Sequence, residues 1–291
     1  MFRIIIFLIT NIAVLIVFSL VLYILGINIY TIYNLLILAI IFGFSGSLIS
    51  LYMSKYIALK LIDGEIIKTP KNDIEYWLLE IINKQSKILN INNPELVIYN
   101  SSDLNAFTTG ANRKSSLLAI STELINNMNK NEIQAVIAHE MSHIVNGDMV
   151  TMTLMQGITN TFVIFLSRVF AQLFSNISLD ENNKNDNQTA YFIISLILEL
   201  LFGILANIIV LWFSRKREFY ADAGAAKLVG VESMVTALNK LKMNYSKLNV
   251  DNIISSFCIS GKYSYNFNEL FMSHPTLEKR IKALVNRTYL D

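Results

Sequence analysis

The chain has 291 residues, of which 53% are hydrophobic and only 16% are charged, with a formal net charge of +2 at pH 7. Soluble domains carry about 25% charged residues, so this balance excludes an ordinary soluble enzyme and implies long stretches in a lipid bilayer. The small net charge, with no basic cluster among aromatics, argues against nucleic acid as a partner, and the single Cys258 excludes an internal disulfide.

In chain order, residues 4–25 and 32–53 are each apolar enough and long enough for a membrane helix, which takes about 20 residues. Segment 4–25 has only Arg3 as a basic flank, an apolar run too long for a signal peptide and no small-residue cleavage pattern, so it is expected to remain as an anchor. The link "GINIYT" carries no charge, whereas Lys55, Lys60, Lys68 and Lys71 follow the second span. Residues 72–90 are expected to form an amphipathic helix with Ile74, Trp77, Leu78, Ile81 and Ile82 inward. Short strands are expected at 94–99, 105–110 and 116–121, bounded by Asn, Ser, Asp and Gly.

"IAHEMSHIVNGD" follows at 137–148. The chain holds three histidines, and two of them, His139 and His143, stand four apart here with Glu140 after the first. Ile133, Val136, Ile137 and Met141 recur at helical spacing, Asn129 or Asn131 can cap the start, and Gly147 sits where a helix stops. Residues four apart share a helix face, so both imidazoles can reach one metal ion. Glu140, beside them, can reach a water at that metal rather than the metal itself. This is the H-E-x-x-H zinc pattern, in which the Glu is the general base.

Residues 152–174 and 190–213 make two more spans, joined by the polar, net acidic "DENNKNDNQT". Arg168 and Glu199 lie inside them, about 10–14 Å from their outer ends at 1.5 Å per residue, and are expected to pair. "SRKRE" closes the fourth span with Arg215, Lys216 and Arg217. Every basic flank falls on one side, which places both termini and region 56–150 in the cytoplasm.

A catalytic zinc site needs a third protein ligand. Asn146 and Met149 stand where an extended motif would have Gly and His, so the ligand is not on the same segment. The better candidate is "SRKREFYADAGAAKLVG", where Glu218 and Asp222 share a helical face among Ala221, Ala223, Gly224, Ala225 and Ala226, small enough for close packing on another helix. Glu218 can ligate, and Asp222 can accept the second ring N–H of a ligating His. Asn105, Ala106 and Phe107 form a candidate strand edge for a peptide. The remaining histidine, in "MSHPTLEKRI", is His274; Pro275 at a first helical position would put it near a helix start. His274, or Arg280 on the same helix, could then donate to an oxyanion, or His274 could serve as a capping or surface residue.

"AHEMSHIVNGDMVTMTLMQGITNTFVIF", "WFSRKREFYADAGAAKLVG" and "NAFTTG" resemble the HtpX family of bacterial membrane metalloproteases, relatives of the CAAX prenyl endopeptidases, and the likeness runs along almost the whole chain. It implies one zinc ion per chain on His139, His143 and Glu218, Glu140 as catalytic base, and a substrate cleft lined by the "NAF" element. It also implies an inner-membrane endopeptidase acting on membrane or misfolded proteins in quality control. The expected fold is a mainly α membrane protein, with four transmembrane helices and a cytoplasmic zincin-like α+β metalloprotease domain containing a short β-sheet. The expected division is 1–55 for two spans, 56–150 for a protease region with the H-E-x-x-H helix, 151–214 for two further spans and 215–291 for the protease region with the third ligand. A CAAX-type prenyl protease, a catalytically silent membrane scaffold and a transporter are the alternatives; four spans argue against the first, an intact base with three ligands against the second, and spans without polar residues lining a path against the third.

Overall fold

A computed structural model describes residues 32–178, 184–251 and 272–290. The first expected span, 4–25, and Cys258 lie outside them. Along the described chain run helix α1 (Ile32–Leu61), α2 (Asp73–Leu89), strands β1 (Glu95–Tyr99), β2 (Ala106–Asn112) and β3 (Ser115–Ser121), then α3 (Thr122–Asn127), α4 (Lys130–Asn146), α5 (Asp148–Ser178), α6 (Lys184–Val229), α7 (Val231–Asp251) and α8 (Leu277–Val285). Three described helical stretches are long and apolar enough to cross a membrane: Ile32–Leu61, Asp148–Phe174 and Ala190–Val229. Two of them run well past the spans read from hydropathy. Backbone hydrogen bonding does not stop where apolar side chains give way to polar ones, and no proline interrupts either helix.

The chain divides into two compact units, Met1–Ile49 with Thr153–Val210, and Ser50–Met152 with Leu211–Asp291. In the first, α1 and α5 approach through small residues. A Cβ on Gly43 would lie 2.6 Å from the backbone nitrogen of Thr161, and one on Gly157 would lie 2.4 Å from the Phe44 ring. Small residues let backbones close in this way where lipid gives no hydrophobic drive to helix pairing. Arg168 of α5 and Glu199 of α6 face each other at 3.8 Å.

The second unit is built on a three-stranded sheet of order β1-β3-β2. β1 pairs parallel to β3 and β2 antiparallel to it. The pleat sends Leu96, Leu118 and Ile120 into a core with α2, α4 and α7, around Leu78, Ile82, Ile137, Met141 and Met234. It sends Val97, Tyr99, Leu117 and Ala119 to the other face, against Ala58, Leu59 and Ile62 of α1. The outer edge of β1 is covered, because Ile67 N–H donates to Leu96 O at 2.9 Å. β2 therefore supplies the open edge among the described residues.

α4 is fixed at both ends. Asn129 and Glu132 form a reciprocal capping box, and Gly147 closes the helix at φ 68° in the left-handed region. The C-terminal helix differs from expectation: Thr276 is the N-cap, so Pro275 lies just outside α8 rather than at a first helical position, and His274 does not cap it. The Thr276 hydroxyl accepts from the Lys279 N–H, which sets the helix start at Thr276.

Candidate metal centre

α4 and α6 bring the expected donors together. His139 and His143 project from one face of α4, with their Nε2 atoms 3.1 Å apart. Glu218, on the continuation of α6, places Oε2 3.6 Å from His139 Nε2 and Oε1 3.5 Å from His143 Nε2. The three groups each offer a ligand atom, all within 4.8 Å of one another, and all three side chains are buried. The close approach depends on small residues: a Cβ on Gly224 of α6 would lie 2.6 Å from Ser142 Oγ of α4.

Carboxylates behind the imidazoles set their orientation. Asp222 accepts from His139 Nδ1 at 2.9 Å, and Asp148 accepts from His143 Nδ1 at 2.5 Å. Because an ionised carboxylate only accepts, each Nδ1 carries the proton and each Nε2 is left to face the other and Glu218. Two nitrogen lone pairs and a carboxylate converging on one point repel unless a cation joins them. Ligand atoms around a small tetrahedral metal at about 2.0–2.1 Å stand about 3.3–3.4 Å apart; the two Nε2 atoms stand 3.1 Å apart, and each meets a different oxygen of the Glu218 carboxylate, at 3.6 and 3.5 Å. The residues fit a metal. Burial and Arg280 act to lower the proton affinity of His139, but hydrogen bonds to Asp222 and Glu218 outweigh them and raise its pKa to about 9. A proton therefore competes with a metal for this ring.

Arg280 of α8 ties the carboxylates together. It donates to both oxygens of Asp222, at 2.7 and 2.6 Å, and reaches Glu218 Oε2 at 3.2 Å. His274 Nδ1 lies 3.0 Å from the same Glu218 oxygen, with 64% of its side chain exposed. Arg217 Nη1 donates to the Asp148 carbonyl at 2.6 Å. Glu140 is buried beside the two histidines, and its Oε2 accepts from the Thr108 hydroxyl at 3.1 Å.

Of the three expected edge residues, Asn105 and Phe107 point their backbone groups inward. Ser121 N–H donates to Asn105 O at 2.9 Å, and antiparallel pairs alternate, so the paired positions are 105, 107 and 109. Ala106 and Thr108 present N–H and C=O to the open side. The Phe107 ring packs on Tyr99, 5.9 Å away, on the face opposite α4. Asp148, Arg217 and Thr108 were not singled out by motif or spacing.

The model of peptidase family M48 matches residues 72–288. The chain belongs to peptidase family M48. Protease HtpX of Buchnera aphidicola subsp. Baizongia pistaciae is 56% identical over 293 residues and covers the whole of both chains. Protease HtpX of Wigglesworthia glossinidia brevipalpis is 53% identical over 295 residues, covering 100% of this chain and 99% of that one. Among solved structures, the crystal structure of S. mikatae Ste24p aligns with a TM-score of 0.64 at 19% identity, over 94% of this chain and 62% of that one, a likeness of fold. This M48 member is a membrane metalloendopeptidase, and the convergence of His139, His143 and Glu218 lies within the matched region.

Proposed function

We propose that the metal is zinc, one ion per chain, held by His139, His143 and Glu218, and that Glu140 is the general base for hydrolysis of peptide bonds. The observation that carries this reading is the convergence of two Nε2 atoms on both oxygens of Glu218, each imidazole backed by its own carboxylate. Bound zinc supplies Lewis acidity, polarising a carbonyl and making water acidic enough to give up a proton near neutral pH.

The chain's own residues do the rest. Asp222 and Asp148 keep protons at the two Nδ1 atoms and hold the rings in place. Arg280 neutralises and fixes Asp222 and Glu218. Glu140 takes a proton from the attacking water at a carboxylate oxygen and delivers it to the departing amine. The open edge at Ala106 and Thr108 receives a peptide as an added strand. His274 stands on Glu218 with its ring largely exposed, and donates to the oxygen of the scissile carbonyl.

The substrates on this reading are membrane or misfolded proteins, cleaved at the cytoplasmic face of the inner membrane in quality control, with both termini cytoplasmic. The basic flanks of the spans support that orientation. The test is metal analysis of detergent-purified protein together with cleavage of casein and of a membrane protein. One equivalent of zinc and chelator-sensitive cleavage, restored by zinc, are expected; full cleavage by metal-free protein would overturn the reading.

A further inference from the structure

Among the described residues Glu140 makes one side-chain hydrogen bond, and its donor lies outside the motif helix. Thr108, in the middle of β2, donates its hydroxyl to Glu140 Oε2 at 3.1 Å. Three features fix that hydroxyl. The pleat turns Thr108 with Ala106 toward the α4 side, while Phe107 between them packs against Tyr99 on the other face. Thr108 is in register with Leu118, which is fully buried, so β2 cannot slide. Branching at Cβ leaves threonine few rotamers. Glu140, by contrast, has three rotatable side-chain bonds, and a base must hold one oxygen where the proton is transferred.

We propose that Thr108 is a positioning residue for the general base. Its hydroxyl occupies Oε2 of Glu140, fixes the plane of the carboxylate and leaves Oε1 as the oxygen that takes and returns the proton. This rests on the reading of Glu140 as base. The same residue presents its backbone to the open edge of the sheet. The strand that receives the peptide is thus the strand that holds the base, and the distance from scissile bond to base is set within one residue.

The experiment uses full-length protein in detergent, fluorescently labelled casein as probe, and zinc content measured on every sample. Thr108→Val keeps the shape and removes the donor. It is expected to lower kcat about tenfold to hundredfold, the range of one hydrogen bond to a charged group, with KM and zinc content unchanged. Thr108→Ser keeps the donor and is expected to hold near-parental kcat. Thr108→Ala is run alongside, so that the contrast of Ser with Ala reads the hydroxyl even if the Val variant does not accumulate. Parental kcat in the Val or Ala variant would overturn the proposal, as would an equal loss in Ser and Ala. A raised KM with kcat intact would overturn it by assigning Thr108 to substrate pairing, and loss of zinc by assigning it to the metal site. Turnover that survives Glu140→Gln would instead remove the base itself from the account, whatever the Thr108 variants do.

Discussion

Arg168 and Glu199 offer a test of how the membrane unit tolerates charge. Their side chains are each 4% exposed and their nearest atoms are 3.8 Å apart. At an effective dielectric of about 20, two unit charges at that distance attract by about 4 kcal/mol. Desolvation has already used much of that gain, so the pair contributes little net stability, whereas removing one partner costs about 3–5 kcal/mol. Glu199→Leu and Arg168→Met each take away one partner of this buried contact, whereas the double variant takes away both. Each single variant should therefore be damaging, and the double variant should be close to the parent. With about 2–4 °C per kcal/mol for a domain of this order of size, each single variant should melt roughly 6–20 °C lower in detergent, and the double variant within a few degrees of wild type. Strictly additive shifts in this cycle would refute the pairing argument.

Glu218→Ala should lose zinc from purified protein far more completely than Asp222→Ala; full zinc in Glu218→Ala, with loss in Asp222→Ala or His274→Ala, would move the third ligand. Asp148→Asn should weaken zinc affinity by about 10–100-fold, because the amide holds the Nδ1 proton of His143 less well; competition against a chelating dye measures this, and an unchanged affinity would remove Asp148 from the site. In chelator-treated protein, the His139 pKa is raised from 6.5 to about 9. The raised value favours the folded, protonated form, so its stabilisation is complete below pH 6.5 and is lost as pH rises toward 9. The melting temperature of the chelated protein should fall across that window, and His139→Gln should flatten the fall.

The site was legible in the sequence wherever its parts obey a local period. The i, i+4 spacing of His139 and His143, and of Glu218 and Asp222, each puts two side chains on one helix face, and the small residues around Glu218 announced the contact that Gly224 and Ser142 make. The strands and the α2 and α4 helices were legible from alternation, caps and the glycine stop, although Ile74, expected inward on α2, lies in its first turn and is exposed. What the sequence hid is what depends on non-local pairing. Asp148 lies five residues after His143, off its helical face, until the left-handed turn at Gly147 brings it back to the ring. Thr108 reaches Glu140 only because β2 pairs with β3 and packs on α4. The inward direction of Asn105 and Phe107 follows from the pairing phase, which composition does not set. Arg280 read as a possible oxyanion donor, yet most of its donors are taken by Asp222 and Glu218, which come from α6.

In the proposed function Glu140 acts on water while His139, His143 and Glu218 hold the metal. Glu140→Gln separates the two roles in one preparation, by zinc stoichiometry and casein cleavage measured side by side. One zinc per chain with cleavage abolished is the expected result. Near-normal turnover, or loss of the zinc together with the activity, would contradict it.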